Sequence, residues 1–360
     1  MIIPTTYAAA LLLMILSMLC WGSWANTFKL VGKWRFELFY YDYSLGVLLA
    51  AVVAAYTFGS IGNDLTFSDN LLVAGKRNMA FALAGGAVFN LANMLLVAAI
   101  SIAGLAVAFP VGIGLALVIG VIWNYILNPQ GNKLLLAGGV VLVAGAIVVD
   151  AMAYGAHARS RKPATLPPEP APAQRGRTKS SAPARSSSGG AKGIILSLVS
   201  GVLMGSFYPL VQIGMNGGVE AGGLGPYTVA FFFACGVFAS TFVYNLYFTN
   251  LPVEGEPISP LAYFRGNFRQ HALGIVGGLI WCTGGIANFV AASAPQSVQI
   301  GPAISYAIGQ GATMVSALWG LLVWKEFAGA APRVKMLVAI MLILFVAGLA
   351  LVSLAPIYAG

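Results

Sequence analysis

The chain has 360 residues, of which 59% are hydrophobic and only 8% are charged, with a net charge of +9. Soluble domains carry about 25% charged residues, so this composition argues against a soluble globular protein. Apolar runs of about twenty residues recur along the chain, and a helix of that length crosses the hydrocarbon core of a bilayer. Since a backbone in lipid must satisfy its own hydrogen bonds, the sequence predicts an all-α integral membrane protein.

Ten apolar segments predict ten transmembrane helices. They cover residues 6–28, 39–59, 78–100, 103–127, 133–154, 193–214, 226–248, 271–291, 300–324 and 334–355. The first segment has no basic residue before Tyr7 and no clear small-residue cleavage site. We therefore interpret it as a membrane helix rather than a cleaved secretory signal.

The segment 155–192, between the fifth and sixth helices, has a different composition. It is basic, rich in proline, serine and alanine, and nearly free of bulky apolar residues. Such a segment cannot build a core, so it predicts a disordered linker. The linker separates a first set of five helices, residues 1–154, from a second set, residues 193–360.

The basic residues predict the orientation of the helices in the membrane. If the N-terminus is outside, most of the 19 lysine and arginine residues fall on the same side as the linker. Because cytoplasmic connections are enriched in lysine and arginine, we expect both termini outside and the linker in the cytoplasm, in the plasma membrane. The net charge then reflects topology and contact with membrane lipid, and it predicts no nucleic-acid partner.

The two halves resemble each other in sequence order. Gly22-Ser23-Trp24 in the first helix parallels Gly205-Ser206-Phe207 in the sixth, and Ala92-Asn93 in the third parallels Ala287-Asn288 in the eighth. Because five is an odd number, the second set enters the membrane in the opposite sense. The sequence predicts two inverted five-helix repeats, which are typical of secondary transporters with a substrate site near the bilayer midplane.

Sequence motifs typical of enzymes are absent. The chain has only two histidines, three cysteines within apolar runs, and no Gly-x-x-x-x-Gly-Lys-Ser/Thr phosphate loop. We expect no enzymatic activity, no metal and no cofactor.

Polar side chains within the helices are candidates for substrate binding, because each is unfavourable in hydrocarbon unless it pairs or faces a wet cavity. The candidates with amide or hydroxyl groups are Asn93, Thr283, Asn288, Ser305, Gln310 and Thr313. Such groups suit a neutral solute such as a ureide, a nucleobase or a sugar. Ser305, Gln310 and Thr313 share close to helical spacing beside an expected kink at Pro302, and Trp281 is a candidate for stacking. For each, hydrogen bonding or packing between helices is the alternative interpretation.

Asp42, at the start of the second helix, is the candidate for proton coupling. A carboxylate inside a membrane protein can carry a proton during transport. The alternative is an interfacial aspartate that bonds to a helix N-terminus or pairs with Arg35 or Lys33.

Several motifs point to a known family. They include Tyr41-Asp42-Tyr43-Ser44, Phe58-Gly59-x-Ile61-Gly62, Ala84-Gly85-Gly86, Val118-Ile119-Gly120 and Asn132-Lys133. With these motifs the chain resembles the ureide permease family, within the drug/metabolite transporter superfamily. Lys33-Trp34-x-x-Glu37 and Lys325-Glu326 are similar to rhamnose transporters, and Ser305-x-x-x-Gly309-Gln310-Gly311 is similar to glucose/ribose porters.

The resemblance implies ten helices in two inverted repeats around a central cavity, and a long cytoplasmic loop between them. It also implies proton-coupled uptake of allantoin-like ureides or pyrimidine nucleobases by alternating access. The expected partners are a small polar substrate, protons and membrane lipid. A monosaccharide porter, a passive channel and a non-transporting scaffold remain alternatives, and the direction of transport and the oligomeric state stay open.

Overall fold

The computed structural model describes the whole chain except residues 63–64, 104, 162–186, 253–255, 296–297, 299, 326 and 359–360. It describes only the backbone of residues 100–103, 105–110, 158–161, 187–191 and 220. Most of the predicted linker, and Glu326 of the Lys325-Glu326 motif, therefore lie outside the described residues.

The described residues form helices joined by turns, without a β-strand. The α-helices are α1 (Tyr7–Ser23), α2 (Ala25–Val31), α3 (Phe36–Tyr56), α4 (Phe67–Val73), α5 (Lys76–Ala103), α6 (Leu105–Leu127), α7 (Lys133–Arg161), α8 (Ser187–Met215), α9 (Pro226–Asn250), α10 (Phe268–Ala292), α11 (Pro302–Gly309), α12 (Ala312–Leu318) and α13 (Pro332–Leu354). A 3₁₀ turn, Pro260–Arg265, precedes α10, and a π turn, Trp319–Val323, follows α12.

The helices confirm an all-α membrane protein. Within the described residues, nine spans are long and apolar enough to cross a bilayer; one joins α1 and α2, and another joins α11, α12 and the π turn. The described part of α6, Val111–Leu127, is apolar but shorter. Large apolar side chains such as Ile126 (72% exposed) and Leu134 (82% exposed) lie on the outer surface, where lipid chains would cover them.

Several helix boundaries differ from the predicted ones. The fifth predicted helix continues from residue 154 to Arg161, and the sixth begins at Ser187 rather than at residue 193. Hydropathy identifies only the part of a helix that lies in lipid, so it does not predict the polar turns by which these helices extend beyond the membrane. Pro302 starts α11 rather than bending a helix, and the interruption falls instead at Gln310–Gly311.

Successive spans alternate in direction, so the bundle has two ends. We call the end where α1 begins the N-terminal end, and the end where α7 stops and α8 begins the linker end. At the N-terminal end, Asn70 donates to the Gly223 carbonyl (3.0 Å) and accepts from the Gly225 amide (2.9 Å). At the linker end, Trp324 donates to the Asn26 side chain at 2.6 Å.

The contacts between helices are nearly unchanged when the two halves are exchanged. Packed pairs α5–α8, α6–α8 and α3–α10 correspond to α10–α1, α12–α1 and α9–α5. Pairs α3–α9, α7–α13 and α6–α11 correspond to themselves. An inverted repeat produces this symmetry of contacts, although the repeat itself stays a prediction.

Two close helix crossings show the same correspondence at single glycines. Where α3 crosses α10, a Cβ at Gly46 would lie 2.1 Å from the Ile275 carbonyl oxygen, and one at Gly278 would lie 2.0 Å from that of Tyr43. Where α5 crosses α9, a Cβ at Gly86 would lie 2.0 Å from the Phe233 carbonyl oxygen, and one at Gly236 would lie 2.1 Å from that of Leu83. Only glycine permits these approaches, which bring the backbones into direct contact.

Candidate functional site

A cluster of aromatic rings lies near the middle of the bundle. It consists of Trp21, Phe89, Phe207, Phe233 and Trp281, which come from five helices, α1, α5, α8, α9 and α10. Trp281 is 5% exposed, and its ring lies 4.3 Å from that of Phe89 and 5.8 Å from those of Trp21 and Phe233. The planes of Trp21 and Phe233 lie within 16° of Trp281, the geometry in which aromatic faces stack.

A hydrogen-bonded network of buried polar side chains lies two turns further along α10. Asn288 accepts from the Ser305 hydroxyl at 3.2 Å, and Ser305 shares a hydrogen bond of 2.9 Å with Tyr208. The Asn288 amide nitrogen also lies 3.5 Å from the Ser17 hydroxyl. All four side chains are fully buried. The structure therefore brings Asn288 and Ser305 together, with two partners that sequence reasoning did not select.

Gln310 and Thr313 lie at the break between α11 and α12, which follows Ser305 along the chain. Gly309, just before the break, packs so tightly that a Cβ there would lie 2.6 Å from the Trp21 ring and 3.5 Å from the Asn288 amide nitrogen. Thr313 is 6% exposed, whereas Gln310 is half-buried and makes no side-chain hydrogen bond to any described residue.

Two other predicted site residues lie elsewhere. Thr283 is exposed on the outer face of α10, and its hydroxyl donates to the Leu279 carbonyl of the same helix at 2.8 Å. The structure does not bring Thr283 to the other candidates. Asn93 is buried in α5 and donates to the Tyr40 hydroxyl at 3.1 Å, on the side of the bundle that leads to the linker end.

Asp42 lies near the linker end within a group of three polar side chains. Its side chain is 1% exposed. One carboxylate oxygen accepts from the Tyr263 hydroxyl at 2.5 Å, and the other lies 2.8 Å from Nδ1 of His271. The Trp34 ring covers His271, with centroids 5.9 Å apart. Both oxygens of this buried carboxylate are therefore partnered, as burial of a charge requires.

The surroundings of Asp42 differ from the interfacial alternative considered above. Arg35 forms a bidentate ion pair with Glu37, at 2.6 and 3.0 Å, rather than with Asp42. Among the described residues, neither Arg35 nor Lys33 forms an ion pair with Asp42. Burial, and then the hydrogen bond to Asp42, raise the pKa of the Tyr263 phenol above its ordinary value. Tyr263 therefore stays protonated and donates.

Comparison with known proteins identifies the family. A model of the ureide permease family matches residues 39–188 and 181–355 of the chain. This chain belongs to the ureide permease family. Ureide permease 1 and ureide permease 2 of Arabidopsis thaliana are each 25% identical to this ureide permease, over 95% of both chains in each pair. Ureide permease 4 of the same plant is 24% identical over 98% of both chains.

A solved crystal structure also shares the fold of this ureide permease. It aligns with 98% of this chain and 99% of its own with a TM-score of 0.57, at 18% sequence identity. At that identity the likeness concerns the fold alone.

The geometry of this ureide permease adds residues that sequence reasoning missed. His271 is one of only two histidines in the sequence, and Tyr263 lies in a connection between helices, where hydropathy gives no signal. Tyr208 and Ser17 lie in apolar runs, so only their contacts reveal them. A buried aspartate needs hydrogen-bond partners, and the chain has only two histidines that could serve as one. This need was the one signal in the sequence that could have pointed to His271.

Proposed function

We propose that this protein imports a small neutral metabolite, a ureide such as allantoin or a pyrimidine nucleobase such as uracil, by proton-coupled secondary transport. The names of its relatives support a ureide substrate. The observation that carries the proposal is the position of Trp281, which stacks among near-parallel rings two turns from the amide of Asn288. A planar ring that bears N–H and C=O groups would be bound by stacking on its faces and by hydrogen bonds at its edges.

The aromatic cluster and the polar network would bind different parts of such a substrate. Aromatic faces stack on planar heterocycles with little dependence on ring identity. Amide and hydroxyl groups both donate and accept, and so discriminate among substrates by hydrogen bonds. Asn288, Ser305, Gln310 and Thr313 would supply these bonds, and Asn93 would meet the substrate nearer the linker end.

Alternating access would come from relative movement of two inverted repeats. The correspondence of helix contacts on exchange of the halves supports this arrangement. So do the helix irregularities near the site, the break at Gln310–Gly311 and Pro209 within α8, which removes one backbone hydrogen bond beside Tyr208. Transporter sites are commonly built at such interrupted helices.

Proton coupling would reside at Asp42. Its carboxylate is buried in the bundle, and both of its oxygens are bonded, one to Tyr263 and the other to His271. By the positive-inside rule the basic linker would lie in the cytoplasm and both termini outside, so the linker end would face the cytoplasm. The protein would be located in the plasma membrane. A proton that reached Asp42 would then be released to the cytoplasm with the substrate.

Uptake into proteoliposomes tests the proposal. Purified protein would be reconstituted and supplied with labelled allantoin, uracil, glucose, ribose or rhamnose, with an inward proton gradient and with or without a protonophore. We expect accumulation of allantoin or uracil that the protonophore abolishes. Accumulation of a sugar alone would place the protein with monosaccharide porters, and equilibration without accumulation would indicate a passive facilitator.

A further inference from the structure

Tyr43 in α3 is a buried tyrosine whose hydroxyl has no hydrogen-bond partner among the described residues. The three other fully buried tyrosines are all paired. Tyr40 accepts from Asn93 (3.1 Å), Tyr208 bonds Ser305 (2.9 Å), and Tyr306 donates to the Met204 carbonyl (3.1 Å). Tyr43 is the exception in this set.

An unpaired buried hydroxyl is unfavourable, because it loses its hydrogen bonds to water and gains none in return. A phenylalanine would fill the same space without that loss. The ring of Tyr43 is held firmly, at 4.8 Å from Trp24 and 4.9 Å from Tyr40. These ring contacts restrict movement of the hydroxyl towards another protein group, so a hydrogen-bonding group of a bound molecule would be a suitable partner.

Tyr43 is placed to contact a substrate that moves from the aromatic cluster towards Asp42. Its backbone carbonyl packs against Gly278, one turn before Trp281 on α10. Trp24, which covers the Tyr43 ring, lies one turn after Trp21 of the cluster. Tyr43 also adjoins Asp42 in sequence. It thus lies between the aromatic cluster and the proposed proton site.

We infer that the Tyr43 hydroxyl is a specificity-determining group that hydrogen-bonds a carbonyl or N–H group of a planar cyclic ureide or pyrimidinedione substrate. This inference rests on the proposed function, and it adds a residue to the same site. A hydroxyl both donates and accepts, so it serves either edge of such a ring.

The test compares Tyr43→Phe with two matched variants, using uptake of allantoin and uracil and thermal unfolding of the detergent-solubilised protein. In Tyr43→Phe we expect KM to rise about two- to tenfold, the effect of one uncharged hydrogen bond. The substrate-free protein should be as stable as wild type or more stable, because an unpaired group has been removed. Stabilisation by a fixed concentration of uracil should be smaller, which gives a readout independent of reconstitution.

The two controls separate this role from structural effects. Thr228→Val removes another buried hydroxyl without a partner among the described residues, at the N-terminal end of α9, and should leave KM unchanged. Tyr306→Phe removes a paired hydroxyl and should lower the melting temperature without changing KM. An unchanged KM in Tyr43→Phe, with wild type active on allantoin or uracil, overturns the inference alone. Inactivity of wild type on both substrates contradicts the proposed function, and the inference falls with it.

Discussion

Asp42 is the residue on which the proposed coupling depends. A carboxylate that is 1% exposed needs hydrogen-bond partners in a membrane bundle, and Tyr263 and His271 supply them. The three side chains belong to α3, the 3₁₀ turn before α10, and α10 itself. Protonation of Asp42 would weaken contacts that tie these elements together, which is how a proton could bias the bundle towards another conformation.

Replacement of Asp42 by asparagine tests this role. The asparagine side chain keeps the shape and can still accept from Tyr263, but it cannot carry a proton. We expect Asp42→Asn to reduce gradient-driven uptake to the level of protonophore-treated wild type, whereas exchange of labelled for unlabelled substrate at equal pH persists. Glu37→Gln is the control, because Glu37 pairs with Arg35 outside the Asp42 group. Accumulation that remained proton-dependent in Asp42→Asn would rule out this assignment.

Asn288 and Thr283 offer a matched test of the polar network on a single helix. Asn288→Ala would leave the buried hydroxyls of Ser305 and Ser17 short of a partner, at about 1–3 kcal/mol of stability, and should weaken substrate binding as well. Thr283→Val acts on the outer face of α10, so we expect a change in stability within about 0.5 kcal/mol and unchanged uptake. Thermal unfolding and uptake kinetics measure both. Equal effects from the two variants would contradict the placement of the site.

At the scale of helices, the glycine crossings should tolerate no side chain. Gly46→Ala would place a methyl group 2.1 Å from the Ile275 carbonyl oxygen and force α3 and α10 apart. We expect a loss of about 1–3 kcal/mol in stability, typical of overpacking, together with reduced uptake. Gly145→Ala in α7 is the control, because a Cβ there meets no atom within 4 Å. It should be neutral or stabilising by up to about 1 kcal/mol, through better helix propensity. Similar melting temperatures for the two variants would refute the close crossing.

The short helix α4 should respond to pH through its capping residue. Asp69 and Thr66 form a capping box, and hydrogen bonds from Thr66 lower the pKa of the Asp69 carboxyl below its ordinary value of 3.8. The stabilisation of α4 by the ionised Asp69 carboxylate is therefore present above pH 3.8, and it is lost as the pH falls through the lowered pKa of Asp69. Hydrogen exchange of α4, corrected for intrinsic rates, should show protection that declines on acidification. Asp69→Asn should remove this dependence, and pH-independent protection in wild type would contradict it.

The architecture of the helices was largely predictable from the sequence, because hydropathy records contact with lipid. Nine described spans meet that criterion, and the family resemblance at residues 41–62 is confirmed. The site was predictable only in part. Asn288 and Ser305 are hydrogen-bonded to each other, which fits both substrate binding and the alternative of pairing between helices. Thr283 has a similar polar side chain but faces outwards, because successive residues of a helix point about 100° apart and polarity alone does not give the direction. The partners of Asp42 come from distant parts of the chain, and only the packing of α3 against α10 brings them together.

At the scale of the whole molecule, the proposed function is the conversion of a proton gradient into movement of a ureide or nucleobase. The helix contacts correspond when the two halves are exchanged, and the proposed alternating access would use this correspondence to open the bundle to each side. The aromatic cluster would then be reached from each side in turn. In the proposed mechanism substrate and proton move together, because the substrate would pass Asp42 on its way to the linker end.

Proton flux driven by substrate tests this claim most directly. Proteoliposomes that contain a pH-sensitive dye, with no imposed pH gradient, would receive allantoin, uracil or glucose outside. We expect the interior to acidify on addition of allantoin or uracil with wild-type protein, and not with Asp42→Asn or with glucose. Entry of labelled allantoin or uracil without any acidification in wild type would contradict proton coupling, and the absence of both entry and acidification would contradict the proposed transport itself.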